Sequence, residues 1–157
     1  MAASATSNND TRGGYGDANP RSFVTTYQAA LQADVALTPA NTFVSVLAIT
    51  VPGPGRYEVS ATVNVNTVGA TATQVALKLT DGTTVFSNAG SDLPATANFT
   101  AQIETFGVIV ETAGPVTFTL SVAGTVVTGA PVVKAALLAN GTGNSATQLL
   151  VQRIDAN

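Results

Sequence analysis

The sequence contains no histidine, no cysteine and no tryptophan. Without them this chain cannot assemble Ser-His or Cys-His nucleophilic catalysis, a thiolate cluster, a zinc site on those ligands or a disulfide framework. Charge is scarce too, at 10% of residues against about 25% in soluble proteins. Its basic residues, Arg12, Arg21, Arg56, Lys78, Lys134 and Arg153, fall singly, and the formal net charge is −3. No basic stripe is available to grip a phosphate backbone, so no nucleic-acid partner is expected. Long apolar runs are also missing. The longest apolar-dominated stretch, Phe43 to Val51, is interrupted by Ser45 and Thr50 and falls well short of the roughly 20 residues of a transmembrane helix. The opening Met-Ala-Ala-Ser-Ala-Thr-Ser has neither the basic start nor the apolar core of a secretory signal. No membrane partner is expected.

What is present is a 157-residue chain with 45% hydrophobic residues, enough for one domain with a substantial core. The apolar residues are mostly small or β-branched, and they are distributed over many short segments. Solubility must rest on Thr, Ser, Asn and Gln, a texture that suits large uncharged contact surfaces. An interaction or structural role is favoured over catalysis.

Residues 1–22 are rich in Ser, Asn, Gly and Asp without periodicity, which predicts an extended arm. Tyr15, set among glycines near Arg12 and Arg21, is its most interaction-like feature, because aromatic and Arg side chains are the types that anchor interfaces. From Phe23 to Asn157 the pattern is β throughout. Phe23 to Tyr27 reads as a short strand, Gln28 to Val35 as a helical turn or another strand, and Phe43 to Val51 as a long strand. Pro52-Gly53-Pro54-Gly55 forces a turn. Tyr57, Val59, Ala61, Val63 and Val65 then alternate with Glu58, Ser60, Thr62 and Asn64, the signature of a half-buried strand. Asn66 to Thr73 reads as a loop. Val75, Leu77 and Leu79 alternate before Asp81-Gly82, a hairpin signal leading into Thr83 to Phe86. Ser87 to Ala97 reads as irregular. Strands follow at Phe99 to Glu111 and Val116 to Val122, a loop at Gly124 to Pro131, and strands at Val132 to Leu138 and Gln148 to Ile154. Eight to ten strands with short connections predict an all-β antiparallel sandwich or barrel.

Candidate chemistry is thin. Gly141-Thr142-Gly143-Asn144-Ser145-Ala146 superficially matches a dinucleotide-binding loop, but a strand rather than a helix follows it. No cofactor is expected. Glu58, Glu104, Glu111, Asp81 and Asp92 are the acid–base candidates, and a glycosidase would need two of them across a cleft. Glu58 and Glu104 sit at the polar positions of alternating strands, so solvated faces account for them. Asp81-Gly82 lacks the companions of a calcium loop, and no metal is expected. Lys78 and Lys134 read as solvent-facing or edge residues that discourage stray strand pairing. Three glycosylation sequons, at Asn9, Asn98 and Asn140, are close to what this Thr and Asn content yields by chance.

Over approximately residues 42–155 the chain resembles the jelly-roll superfamily of tumour necrosis factor and the globular heads of complement-type collagenous proteins. The resemblance rests on Val51-Pro52-Gly53-Pro54-Gly55-Arg56-Tyr57-Glu58-Val59, the Val75 to Gly82 hairpin strand, two long strands separated by Ala113-Gly114-Pro115-Val116, and the closing Leu149 to Ile154 strand. It implies an antiparallel jelly-roll sandwich that forms a homotrimer, with the Phe99 to Glu111 and Gln148 to Ile154 strands near the threefold axis. Phe106, Val108, Leu150 and Ile154 are the implied interface residues. Similar domains occur in phage capsid decoration proteins, fibre tips and spore-surface filaments. The cytokine group's receptor-contact signatures are not recognisable, so a receptor cytokine is disfavoured. The resemblance implies a non-enzymatic virion protein on the capsid exterior whose arm docks on the major capsid protein or another virion protein, with no small-molecule substrate. The alternative it implies is a trimeric receptor-binding or surface-adhesion module that binds through its loops.

Overall fold

The computed structural model describes residues 25–67, 71–93, 99–129, 131–136 and 147–154. Among these residues ten strands are formed: β1 (Thr25–Ala30), β2 (Val35–Ala36), β3 (Val44–Val51), β4 (Gly55–Asn66), β5 (Thr71–Thr80), β6 (Val85–Asp92), β7 (Thr100–Glu111), β8 (Val116–Thr128), β9 (Val132–Val133) and β10 (Gln148–Arg153). No helix occurs among the described residues, and therefore none long and apolar enough to cross a membrane.

The strands form two antiparallel sheets. In the first, β1 pairs with β10, β10 with β4, and β4 with β7, while β9 and β2 continue the sheet past the end of β10. The second runs β3-β8-β5-β6. If β2 and β9 are set aside, the long strands in chain order lie 1-8-3-6 in one sheet and 2-7-4-5 in the other. This is the double Greek-key order of a jelly-roll sandwich, as expected from the sequence.

Period-2 alternation builds the core. Tyr57, Val59, Ala61, Val63 and Val65 all point inward from β4 and are buried, facing Leu77, Leu79, Phe118 and Leu120 of the second sheet. Phe118 is the hub. Its ring lies 5.4 Å from that of Tyr57 and 5.8 Å from that of Phe86, the latter edge-on, within the preferred range for aromatic pairs. One flank is closed where β6 passes β7. There Ser87 Oγ lies 2.8 Å from Thr105 Oγ1 and donates to the Phe106 carbonyl at 2.7 Å. Gly107 permits this approach, since a Cβ there would stand 2.9 Å from Phe86 Cδ2. At one end the turns at 52–55 and 112–115 touch backbone to backbone. A Cβ on Gly114 would fall 2.5 Å from the Pro52 carbonyl oxygen.

Several segments differ from the sequence expectation. β6 extends through Ser87 to Asp92, paired to β5 from Val85↔Thr80 to Asp92↔Gln74, although its composition reads as irregular. Ladder hydrogen bonds are backbone bonds, and an edge strand needs little apolar content to form them. β8 runs through Gly124 to Thr128, with Gly124 opposite Val75; the long neighbour β5 carries the glycine that the sequence reading took for a loop. β5 begins at Thr71 rather than after Thr73. Gln28 to Val35 splits into the end of β1 and the start of β2, with no helical turn between them. Of the strand expected at Val132 to Leu138, the described residues are regular over Val132–Val133, after which Lys134 N donates to the Asn64 carbonyl; 137 and 138 lie outside the described residues. The expected arm and the Gly141 to Ala146 loop lie outside the described residues.

Candidate interaction surface

On the first sheet, residues of one parity along β1, β10, β4 and β7 point away from the core. The registers align them in rows: Gln28–Leu150–Ser60–Phe106, then Thr26–Gln152–Glu58–Val108, with Ala30–Gln148–Thr62–Glu104 on the other side. Three large apolar side chains stand out along β7: Phe106 is 70% exposed, Val108 43% and Val110 64%. They form a ridge on the sheet's edge strand. Beside it the short side chains of Ser60 and Thr62 leave a shallow trough of about 270 Å³ walled by Glu104 and Phe106. A row of exposed large apolar residues is the informative kind of surface feature, in contrast to a single exposed leucine.

Of the residues singled out in the sequence, Phe106, Val108 and Leu150 share this face. Leu150 is half-buried in the same row as Phe106, with Ser60 between them. Ile154 follows the end of β10, where its N–H donates to the Arg56 carbonyl at 2.8 Å, so it extends the row of Arg56 and Val110, with Arg56 between it and the β7 edge. Val110 was missed by the sequence reading. Its signal was available: Phe106-Gly107-Val108-Ile109-Val110 is apolar on both parities, so one side of that strand had to leave apolar side chains outside. Arg12, Tyr15 and Arg21 lie outside the described residues, as do Asn9, Asn98 and Asn140.

The carboxylates do not converge on this face. Glu104 sits opposite Thr62, four residues along β4 from Glu58, which is about 13 Å at the strand rise. Glycosidase carboxyl pairs lie roughly 5–9.5 Å apart, closer than these two backbone positions, and only Glu104 lines the trough. At the end of the sandwich, burial first and then the Asp81 carboxylate push the Glu111 carboxyl above its usual range. Its Oε1 is buried without a hydrogen-bond donor among the described residues. Asp81 is occupied by its turn. Its Oδ1 accepts from Thr84 N at 2.6 Å, Thr83 N at 2.8 Å and Thr83 Oγ1 at 3.0 Å. The Thr84 bond leads, and against the opposing effect of burial these bonds hold its pKa below the ordinary carboxylate value. Among the described residues no three His, Cys, Asp or Glu side chains cluster as metal ligands would.

Each of the two lysines has a partner that the sequence did not indicate. Lys134 is ion-paired with Asp34, whose other oxygen accepts from Ala135 N at 2.8 Å. Burial raises the Asp34 pKa, but the hydrogen bonds from Lys134 and Ala135 and the lysine charge outweigh it and leave it lowered. Lys78 lies on β5, between β8 and β6 rather than at an edge, and its ammonium sits 4.5 Å from the centre of the Phe43 ring. Asp34 carried no sequence signal, because its partner is 100 residues away.

No protein-family model matches the chain, and no curated protein does. Among solved structures, one similar chain comes from infectious bursal disease virus, Gx strain, with 13% identity and a TM-score of 0.46; the match covers 87% of this chain and 38% of that one. This chain thus spans little more than a third of the viral protein's length. Another is a sugar-binding protein, the C-terminal domain of EclA, with 20% identity and a TM-score of 0.39, covering 82% of this chain and 85% of that one.

Proposed function

We propose that this chain is a non-enzymatic structural module of a virion, a homotrimer that decorates and reinforces a phage capsid. In this reading the protomers pack through the outward face of the first sheet, and residues 1–22 contribute to docking on the shell. The observation that carries it is the Phe106–Val108–Val110 ridge, which the described residues leave in water. Burying it against another copy removes an apolar stripe and covers the β7 edge together, which is how β proteins commonly manage such edges. The resemblance noted over residues 42–155, the jelly-roll strand order, the low charge density and the separation of Glu58 from Glu104 support the same reading. A trimer that binds only the assembled lattice stabilises that lattice by mass action.

The test is sedimentation equilibrium of the full chain and of a version lacking residues 1–22, followed by co-sedimentation with capsids assembled from the cognate coat protein. A trimer in both forms that pellets with capsids is the expected result. A monomer at all concentrations overturns the trimer. A trimer that stays in the supernatant overturns decoration, and a trimer lost on truncation transfers the role of residues 1–22 from docking to self-association.

A further inference from the structure

A second site lies on the opposite face of the sandwich. On the outward side of the second sheet, Ala123 of β8 stands opposite Ala76 of β5, and Ala76 opposite Gly90 of β6. Ala123 and Ala76, with Gly124, are the floor of a recess of about 200 Å³. One wall is Phe43, 41% exposed, whose ring is held by the Lys78 ammonium; Lys78 itself does not line the recess. The other wall is Thr125 and Gln74, opposite each other in register; Asp92, opposite Gln74 on the far side, continues the polar row but does not line the recess. The row is already fixed in place. Thr125 Oγ1 donates to Asn41 Oδ1 at 3.1 Å, Gln74 Nε2 donates to Asp92 Oδ1 at 2.9 Å, and Asn41 N donates to the Gly124 carbonyl at 3.0 Å. Asn41 holds a left-handed backbone at φ 59°, a conformation asparagine tolerates better than most residues.

These bonds leave Asn41 Nδ2 as a donor and Gln74 Oε1 as an acceptor. Small apolar floor, one aromatic wall and a row of amide and hydroxyl groups match a molecule with one C–H face and a hydroxyl rim. We infer that this recess binds a single neutral sugar ring, with its C–H face against Phe43 and the alanine floor and its hydroxyls on Asn41 and Gln74. The volume is below the roughly 300 Å³ at which pockets for drug-sized ligands begin, which restricts the occupant to one ring. The Asp92 carboxylate disfavours an acidic sugar. Because the recess is on the sheet that the trimer reading leaves uncovered, a failure of either proposal leaves the other standing.

The experiment is a titration of the isotope-labelled full chain with a panel of methyl glycosides (glucoside, galactoside, mannoside), followed by backbone amide shifts, with glucuronic acid as the charged comparison. At least one neutral glycoside is expected to give saturable shifts confined to 41–43, 74–76 and 123–125, with a dissociation constant on the order of 1 mM. Phe43→Ala and Gln74→Ala, both at exposed positions, are each expected to weaken binding at least about fivefold while leaving the rest of the amide spectrum in place. No saturable shift with any neutral glycoside up to about 50 mM, saturable shifts elsewhere on the surface, or tighter binding of glucuronic acid would each overturn the assignment. If Phe43→Ala disturbs the fold, the Gln74→Ala comparison carries the test alone.

Discussion

Replacing Phe106 by threonine separates the stability of the protomer from its association. A phenylalanine contributes about 150–250 Å² of surface, and with 70% of it exposed about 140 Å² is available to leave water when a neighbour covers it. At about 25 cal/mol per Å² this is worth about 3.5 kcal/mol, of which the smaller threonine recovers roughly a third. The net loss is about 2 kcal/mol, or roughly 30-fold in each pairwise contact. Three such contacts close a trimer, so the monomer–trimer equilibrium moves by roughly four orders of magnitude. The fold itself has little to lose. The side chain is in solvent, phenylalanine and threonine are both good strand formers, and exposed substitutions usually stay within about 0.5 kcal/mol. Sedimentation equilibrium read beside thermal unfolding is the assay. The expected result is a monomer at concentrations where the unmodified chain is a trimer, with a melting temperature within about 2 °C of the original under monomeric conditions. A folded variant that trimerises with an unchanged constant would refute the assignment of this face.

Phe118→Ala removes the ring that Tyr57 and Phe86 pack against and is expected to cost about 3–5 kcal/mol, read from denaturant midpoints at unchanged slope. Gly114→Ala forces a methyl group to within 2.5 Å of the Pro52 carbonyl and is expected to cost about 1–3 kcal/mol; an equal or higher melting temperature would show that the 52–55 and 112–115 turns can separate freely. Glu111→Gln is expected to stabilise at pH 7 by about 0.5 kcal/mol and to have no effect at pH 3. The Glu111 pKa is raised above 4.5 in the folded chain, so the native protein loses stability as pH rises through that value, and the amide removes the loss. Asp34 and Asp81 have the opposite sign. Their lowered pKa values withdraw stability as pH falls through them, below 3.8, so that the acid limb is the same in both proteins.

The sequence by itself determined the fold class and most of the strands. Alternation along Tyr57 to Val65 and Val75 to Leu79 records which side of each strand is buried, and Pro52-Gly53-Pro54-Gly55 and Asp81-Gly82 are local turn chemistry; both are properties of near neighbours in the chain. It also excluded thiol and imidazole chemistry by composition. What depends on strand order could not be read in this way. β6 forms because β5 offers a ladder, whatever its own polar composition, and Asp34 meets Lys134 only after β2 and β9 pair. Phe106 to Val110 is apolar on both parities in the sequence, but only the position of β7 at a sheet edge decided that Phe106, Val108 and Val110 face water in a single row. Likewise the Asn41, Thr125, Gln74 and Asp92 row draws on four separate stretches of chain. Register assembles it, and register is set by the packing of the whole sandwich rather than by any one segment.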